Sequence, residues 1–313
     1  MVTNSLAFVF PGQGSQSVGM LSDLAETYPD IKLTFQQASD ALERDLWALA
    51  QEGPAEQLGL TQNTQPLVLT AGVALWRVWQ SQSSIVPAFM SGHSLGEYTA
   101  LVCGDSLDFI EAVKLVERRA SFMQQAVPPG EGAMAAILGL DIEQLINICV
   151  QSAQGDVVAA VNYNAPGQVV IAGNTAAVER AIEAAKAAGA KRALPLPVSV
   201  PSHCDLMRPA AEQLASAMSA IEFKLPTATV FHNTDVTSHQ QGDEIKQALT
   251  EQLYTPVRWT ETIQKLAVNN VTCVVECGPG KVLTGLNKRI DKSLELHSMG
   301  DEKSFNKTLE AFT

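Results

Sequence analysis

The segment Gly92-His93-Ser94-Leu95-Gly96 has the spacing G-x-S-x-G, which is typical of a serine nucleophile on a sharp turn between a strand and a helix. Small flanking residues let such a turn close tightly. The amide of Leu95 would then lie at a helix N-terminus, where its N–H can stabilise an oxyanion. The alternative is that Ser94 only caps a helix, because Ser94-x-x-Glu97 also reads as a capping box. The pattern leaves both interpretations open.

A serine hydroxyl is a poor nucleophile at pH 7 and needs a neighbouring base. The chain has five histidines: His93, His203, His232, His239 and His297. The side chain of His93 would point away from that of Ser94, because adjacent residues on a sharp turn diverge. His232 falls within a predicted strand, where we expect its ring to be packed and hydrogen-bonded. His239 falls in a polar loop and His297 in the tail. His203 enters a helix at a predicted domain junction, where clefts form. It is therefore the candidate base, with an exposed loop histidine as the alternative.

Arg119 is the clue to the substrate. It lies on a predicted helix over residues 108–127, and its neighbours three and four positions away are all apolar: Leu115, Val116, Phe122 and Met123. A lone buried charge is costly, so the guanidinium needs an anion, and its planar fork suits a carboxylate. That anion can be a carboxylate of the protein or a carboxylate of the substrate. The adjacent Arg118 is predicted to be solvated.

Other motifs argue against a cofactor or metal. The turn over residues 10–16 approaches a dinucleotide fingerprint, but Ser17 stands where the third glycine is needed. Residues 278–281 also fail the pattern of a phosphate loop. The five cysteines form no Cys-x-x-Cys pair and no paired cysteine–histidine spacing. We therefore expect neither a cofactor nor a bound metal.

Composition excludes further classes of function. The chain has 313 residues and a net charge of −12, with 46 % hydrophobic residues. It is too apolar for a disordered chain and too acidic for a generic nucleic-acid binder. Its first residues have no basic signal region, and the longest apolar stretch, over residues 67–79, is shorter than the roughly 20 residues that span a bilayer. These features predict a reduced, soluble, cytoplasmic protein without a membrane or nucleic-acid partner.

The chain has two regions that differ in the order of their predicted strands and helices, and together these regions must position the candidate residues. Apolar runs at 6–10 and 86–90 alternate with helical patterns at 29–49, 65–80 and 108–127, which predicts a doubly wound α/β domain with a parallel sheet. Residues 133–198 instead follow the order βαββαβ of a ferredoxin-like unit. Prolines bracket this unit. We therefore expect a large α/β domain over 1–127 and 200–313, with a small domain inserted at 128–199.

Taken together, these motifs resemble the malonyl-CoA:acyl-carrier-protein transacylase family. The resemblance rests on Phe-Pro-Gly-Gln-Gly-Ser-Gln at 10–16, Gly-His-Ser-Leu-Gly-Glu-Tyr at 92–98, Pro-Ser-His at 201–203 and Gly-Pro-Gly-Lys-Val-Leu at 278–283. The motifs cover nearly the whole chain in the right order. The resemblance implies an α/β-hydrolase-like large domain with an inserted ferredoxin-like domain, in agreement with the element order.

The resemblance also implies catalytic roles. Ser94 would be the acylated nucleophile and His203 its general base. The family orients that histidine through a glutamine-containing loop rather than an acidic residue, and Gln252 matches the position. No departure from the family pattern occurs at these residues.

Substrate binding follows by the same resemblance. Arg119 would hold the free carboxylate of the malonyl group, and the amides of Gln13 and Leu95 would form the oxyanion hole. The substrates would be malonyl-CoA and the phosphopantetheine thiol of an acyl carrier protein. Nothing in the pattern requires a partner subunit, so a monomer is expected.

Carrier proteins of this kind are acidic, so an acidic enzyme would need a local basic patch to bind one. The candidate residues, which can equally be ordinary solvated side chains, are Lys186, Lys191, Arg192, Lys288 and Arg289. Two other functions stay open: a serine esterase or thioesterase, in which Arg119 would have no role, and a non-catalytic docking protein with the same fold.

Overall fold

The computed structural model describes residues 2–198 and 200–312. The strands are β1 (Val2–Phe10), β2 (Val86–Gly92), β3 (Gly132–Leu138), β4 (Val158–Ala165), β5 (Gln168–Asn174), β6 (Arg192–Pro195), β7 (Thr229–Phe231), β8 (Cys273–Glu276) and β9 (Glu295–Ser298). The helices are α1 (Ser22–Thr27), α2 (Pro29–Leu42), α3 (Leu46–Glu52), α4 (Ala55–Gly59), α5 (Thr61–Gln82), α6 (Leu95–Cys103), α7 (Phe109–Ala126), α8 (Ile142–Ala153), α9 (Thr175–Ala187), α10 (Arg208–Met218), α11 (Gly242–Gln252), α12 (Trp259–Val268), α13 (Val282–Ile290) and α14 (Glu302–Ala311). A short 3₁₀ helix, Asp205–Met207, precedes α10.

A five-stranded parallel sheet forms the larger layer, in the order β7-β2-β1-β8-β9. The central strand β1 is fully buried from Leu6 to Phe10, as its apolar run predicts for a strand covered on both faces. In a parallel sheet all carboxyl ends meet at one edge. The turn that follows β1 and the turn that follows β2 are therefore neighbours, and this edge carries the chemistry described below.

A four-stranded antiparallel sheet forms the second layer, in the order β4-β5-β3-β6. The two helices α8 and α9 pack on it around a separate core that includes Ile137, Leu145, Ile171 and Val178. This is the connectivity of a ferredoxin-like unit. The predicted fold class, α/β with a parallel sheet and an antiparallel βαββαβ unit, is confirmed. The domain boundaries at 127/128 and 199/200 stay a prediction, and residue 199 is outside the described residues.

Backbone hydrogen bonds link the antiparallel sheet to a segment of the chain that lies outside both sheets. The N–H of Val257 donates to the carbonyl of Val161 at 2.8 Å, and the N–H of Tyr163 donates to the carbonyl of Val257 at 2.9 Å. These bonds connect β4 to the segment between α11 and α12. They hold the antiparallel layer over the carboxyl edge of the parallel sheet.

Some element predictions were wrong in detail. The helix expected over 29–49 is broken, because Glu43 adopts a left-handed conformation that ends α2. The last helix is well packed: α14 begins with a capping box at Asp301 and buries Phe305 completely. His297 lies in strand β9 rather than in the tail. Within the described residues, no helix is both long and apolar enough to cross a membrane.

Candidate active site

Ser94 lies on a strained turn between β2 and α6. Its backbone angles are φ 53° and ψ −106°, outside the regions that ordinary residues favour. The two flanking glycines are required by close approach. A Cβ on Gly92 would lie 1.8 Å from the carbonyl carbon of Gly96, and one on Gly96 would lie 2.0 Å from the carbonyl oxygen of Phe10. Ser94 makes no side-chain cap of α6, so the turn exposes its hydroxyl rather than using it as a cap.

His203 stands beside this hydroxyl. The Oγ of Ser94 is 2.8 Å from Nε2 of His203, and Nδ1 of His203 is 2.6 Å from the backbone carbonyl oxygen of Gln252. Because a carbonyl can only accept, Nδ1 carries the proton and Nε2 is left free to accept from the serine. The imidazole is thus oriented by a carbonyl, not by a carboxylate. His203 is buried, not an exposed loop residue.

Burial, followed by the nearby Arg119 charge, lowers the pKa of His203 to about 3. Both causes disfavour the imidazolium: the low-dielectric surroundings desolvate the charge, and the guanidinium repels it. The imidazole is therefore neutral at neutral pH. A neutral Nε2 at hydrogen-bond distance from a serine hydroxyl is the arrangement of a general base.

Arg119 is buried on α7, with 1 % of its surface exposed, as its apolar neighbours predict. Its Nη1 donates to Oε1 of Gln65 at 2.9 Å, and its Nη2 donates to Oε1 of Gln252 at 2.9 Å and to Oγ of Ser94 at 3.3 Å. These partners are all neutral. Across residues 2–198 and 200–312, no carboxylate forms an ion pair with Arg119. Its charge is therefore available to an anion that reaches Ser94.

The two amides expected to form an oxyanion hole also lie at this edge. Leu95 is the first residue of α6, so its N–H points out of the helix N-terminus. Gln13 lies in the turn after β1, and the neighbouring Gly12 packs so closely on the elbow that a Cβ there would lie 2.6 Å from the carbonyl oxygen of His93. Gln13 and Leu95 both line the same cavity as Ser94.

That cavity has a volume of about 130 Å³ and lies between the two sheets. Ser94, His203 and Arg119 line it from the side of the parallel sheet. Met134 and Leu196 line it from the antiparallel layer. A larger depression of about 470 Å³, beside Arg77 and Phe109, contains none of the predicted site residues. The smaller cavity is the one that joins a nucleophile, a base and an unpaired cation.

The remaining histidines lie outside this pair. Nε2 of His93 is 2.8 Å from Oδ1 of Asn164, so this ring turns away from Ser94 toward β4. His239 bonds to Asp235. His297, Glu295 and Cys273 bring three possible metal-ligand atoms within 4.8 Å of one another. Cys273 and Glu295 are the first residues of β8 and β9, so this group lies toward the opposite edge of the sheet from Ser94, which follows the carboxyl end of β2.

Sequence reasoning missed several residues behind Ser94. The sequence pattern indicates no role for Gln65 or Asn233, and it indicates only a place in a capping box for Glu97. His232 was expected to be packed and hydrogen-bonded, and its Nδ1 is 2.7 Å from Oε1 of Glu97. Glu97, His232 and Asn233 are all completely buried. A glutamate on the first turn of a helix with apolar neighbours was the one available signal.

A strained serine elbow, a carbonyl-oriented histidine and a buried arginine with neutral hydrogen-bond partners are the features of an acyl-transferring site of the serine–histidine type. Residues 7–300 match the acyl transferase domain family. The chain is 59 % identical over 301 residues to the malonyl CoA-acyl carrier protein transacylase of Haemophilus influenzae, covering 96 % of each chain.

Solved structures agree with the sequence comparison. A crystal structure of an acyl carrier protein S-malonyltransferase from Vibrio cholerae is 56 % identical with a TM-score of 0.95, covering 97 % of this chain and 99 % of the other. A malonyl-transacylase in complex with its type II polyketide acyl-carrier protein is 54 % identical with a TM-score of 0.97, covering 98 % and 99 %. The chain belongs to the acyl transferase domain family, and it is an acyltransferase.

Proposed function

We propose that this acyltransferase moves a malonyl group from coenzyme A to the phosphopantetheine thiol of an acyl carrier protein, through an ester of Ser94. The observation that carries the proposal is the position of Arg119. Its buried guanidinium has only neutral partners and lies 3.3 Å from the serine oxygen. An acyl group on Ser94 that ends in a carboxylate would place that carboxylate on the guanidinium, where a bidentate pair can form.

In the first half-reaction, Nε2 of His203 takes the proton of Ser94 while Oγ attacks the thioester carbonyl. The amides of Gln13 and Leu95 hold the tetrahedral oxyanion, and in comparable sites one such donor contributes about 3 kcal/mol. The C–S bond then breaks. The coenzyme A thiolate takes the proton from His203, and the malonyl ester stays on the serine.

In the second half-reaction, His203 takes the proton of the phosphopantetheine thiol, and the thiolate attacks the ester carbonyl. Collapse of the intermediate returns the serine oxygen, which recovers its proton from His203. A thioester is consumed and a thioester is formed, so the exchange is nearly balanced and needs no resident cofactor or metal. All the proposed groups come from one chain, so a monomer suffices.

The carrier protein would bind at a basic patch that spans both layers. The side chain of Lys191 packs on Gly139, whose N–H donates to the carbonyl of Gly167 at 2.8 Å. The next residue, Gln168, bonds to Arg289. This series of contacts links Lys191 on the antiparallel layer to Arg289 on α13. Arg192 and Lys288 are exposed beside them, whereas Lys186 pairs with Glu183 at 2.7 Å and contributes less net charge.

The decisive experiment is intact mass spectrometry after mixing the enzyme with malonyl-CoA. The expected result is one added malonyl group, mapped to Ser94 and absent in Ser94→Ala. A non-catalytic docking protein would gain no mass.

The esterase alternative is separated by measuring release of coenzyme A with and without a pantetheine thiol. The transferase is expected to release about one equivalent and stop until the thiol is added. Continuous release at full rate without the thiol would contradict the proposal and indicate a hydrolase.

A further inference from the structure

A buried carboxylate behind Ser94 takes no part in the steps above. Glu97 lies on the first turn of α6 with no surface exposed. Its Oε1 accepts from Nδ1 of His232 at 2.7 Å, and its Oε2 accepts from the backbone N–H of Asn233 at 3.0 Å and from Nε2 of Gln252 at 2.9 Å. A buried carboxylate needs such donors, because desolvation of an unpaired charge is costly.

Asn233 connects Glu97 to the nucleophile, because its backbone bonds to Glu97 and its side chain bonds to the backbone of Ser94. Its Oδ1 accepts from the backbone N–H of Ser94 at 2.7 Å, and its Nδ2 donates to the carbonyl of Gly92 at 2.7 Å. One side chain thus bridges the last residue of β2 and the serine. Because it occupies the N–H of Ser94, it leaves the next amide, that of Leu95, to face a substrate oxygen.

Gln252 carries the same anchoring to the base and to the cation. Its backbone carbonyl accepts from His203, its Oε1 accepts from Arg119, and its Nε2 also donates to the carbonyl of Ser94 at 3.0 Å. Glu97 therefore holds two residues that between them contact every group of the proposed mechanism except the oxyanion amides.

The backbone of Ser94 needs such support. Its φ of 53° and ψ of −106° lie in a sparsely populated region, and such a conformation persists only when the surroundings hold it. The close contacts of Gly92 and Gly96 allow the turn to form. They provide no acceptor for the N–H of Ser94. The Asn233 side chain accepts from that N–H and donates to the carbonyl of Gly92, so it ties together two successive peptide groups of the turn.

We propose that Asn233, anchored by Glu97, is a positioning residue that sets the attack geometry of Ser94. This inference rests on the proposed function only in taking Ser94 as the nucleophile. We expect Asn233 to affect the rate at which Ser94 reacts but not the affinity of the enzyme for the malonyl group.

The test compares Asn233→Ala with Asn287→Ala. Asn287 is an equally buried asparagine on α13, and its Oδ1 accepts from Nε1 of Trp259 at 3.0 Å. Among the described residues it has no hydrogen bond to the elbow, and Trp259 meets His93 only by a ring contact, 5.6 Å between centroids. Three measurements are made on each variant: kcat and KM with malonyl-CoA, the rate at which a fluorophosphonate probe labels Ser94, and the thermal unfolding temperature. The probe reacts with an activated serine and requires no malonyl recognition.

For Asn233→Ala we expect a loss of about 100-fold in kcat and in the labelling rate, with little change in KM, because a small misplacement of a reacting atom is enough to cause this. Asn287→Ala should lower the unfolding temperature by a similar amount and leave both rates unchanged. Equal labelling rates in the two variants would overturn the proposal. Labelling of the wild type without any malonyl transfer would overturn the proposed substrate instead.

A second pair of variants tests the anchor. Glu97→Gln keeps one oxygen that can accept from Asn233 and Gln252. Its new amide can donate to Nδ1 of His232 if the proton of that ring moves to Nε2. Nε2 is free to take the proton, because it has no hydrogen-bond partner within the described residues. Glu97→Ala removes all three bonds. We expect the labelling rate to fall in Glu97→Ala and to be largely restored in Glu97→Gln. Equal losses in the two variants would contradict positioning through hydrogen bonds.

Discussion

The two layers that enclose the cavity differ in how they hold charge. On the side of the parallel sheet, Arg119 is completely buried and its hydrogen-bond partners are neutral amides and a hydroxyl. In the antiparallel layer, Arg180 is partly exposed and pairs with Asp156 at 2.9 Å. The second arrangement is the ordinary one for a surface arginine and contributes little to stability. In the first arrangement no carboxylate of the described residues contacts the guanidinium directly, and Glu97 acts on it from the far side of Gln252. The guanidinium can therefore still pair with a substrate carboxylate.

The reacting groups and the proposed docking residues differ in the same way, because the first are buried and the second are exposed. The reacting groups sit where burial and backbone carbonyls fix them, and a small displacement there changes the rate greatly. The proposed docking residues lie on the surface, where water and salt screen each charge. Substitutions on the two sides should therefore differ in size by orders of magnitude.

The largest effect is expected from His203. Replacing it with alanine removes the group that lies 2.8 Å from the serine oxygen and takes its proton in the proposed mechanism, so the rate of malonyl-ester formation in a single turnover should fall at least about 1,000-fold. His239→Ala is the control, because that ring bonds to Asp235 outside the cavity. A fall of less than tenfold in His203→Ala would show that another base serves Ser94.

Arg119→Ala should change selectivity rather than only the rate. Loss of the carboxylate partner is expected to lower kcat/KM for malonyl-CoA about 100-fold and to leave acetyl-CoA far less affected, so the malonyl-to-acetyl ratio falls. Arg118→Ala, one residue away and exposed, should alter neither value. Arg119→Lys keeps the charge without the fork and should be intermediate. An unchanged ratio in Arg119→Ala would refute the assignment.

The pH dependence tests the burial of the base. Because the pKa of His203 is lowered to about 3, the base stays unprotonated as the pH falls from 7.5 to 5. The kcat/KM for malonyl-CoA, which reports the free enzyme, should be nearly flat over this range. With a histidine of ordinary pKa, about 6.5, the unprotonated fraction, and with it kcat/KM, would fall roughly 30-fold by pH 5. A half-loss of kcat/KM near pH 6.5 would show that water or substrate reaches His203 more freely than the structure indicates.

The sequence predicted the elements at this edge well, and the reason is local. A buried parallel strand is a short apolar run, and glycines that must pack backbone against backbone leave a fixed pattern, so β1, β2 and the elbow at Ser94 could be predicted. The burial of Arg119 could be predicted because residues three and four positions apart share a face of a helix, and its neighbours at those positions are apolar. The bond from its guanidinium to Gln252, 133 positions away in the chain, has no local signature.

The same limit explains what was missed. Glu97, His232 and Asn233 meet because α6 and the loop after β7 pack together, and each residue alone reads as a cap, a strand residue or a turn residue. The carbonyl of Gln252 that orients His203 is a backbone group, so no residue type reveals it from the chain itself. Only the resemblance to a family pointed to that position.

The smallest effect is expected at the docking surface, and it returns to the contrast between the two layers. Lys191→Glu combined with Arg192→Glu should raise KM for the carrier protein about fivefold at low salt, with the difference shrinking as salt rises, because rim charges act mainly on encounter. Lys303→Glu with Lys307→Glu on α14 makes the same change in net charge elsewhere and should have little effect. Formation of the malonyl ester should be unchanged in both. If KM ignored both salt and the reversal, the basic patch would be an ordinary solvated surface. The carrier protein would then have to be recognised through the cavity mouth and its phosphopantetheine arm alone.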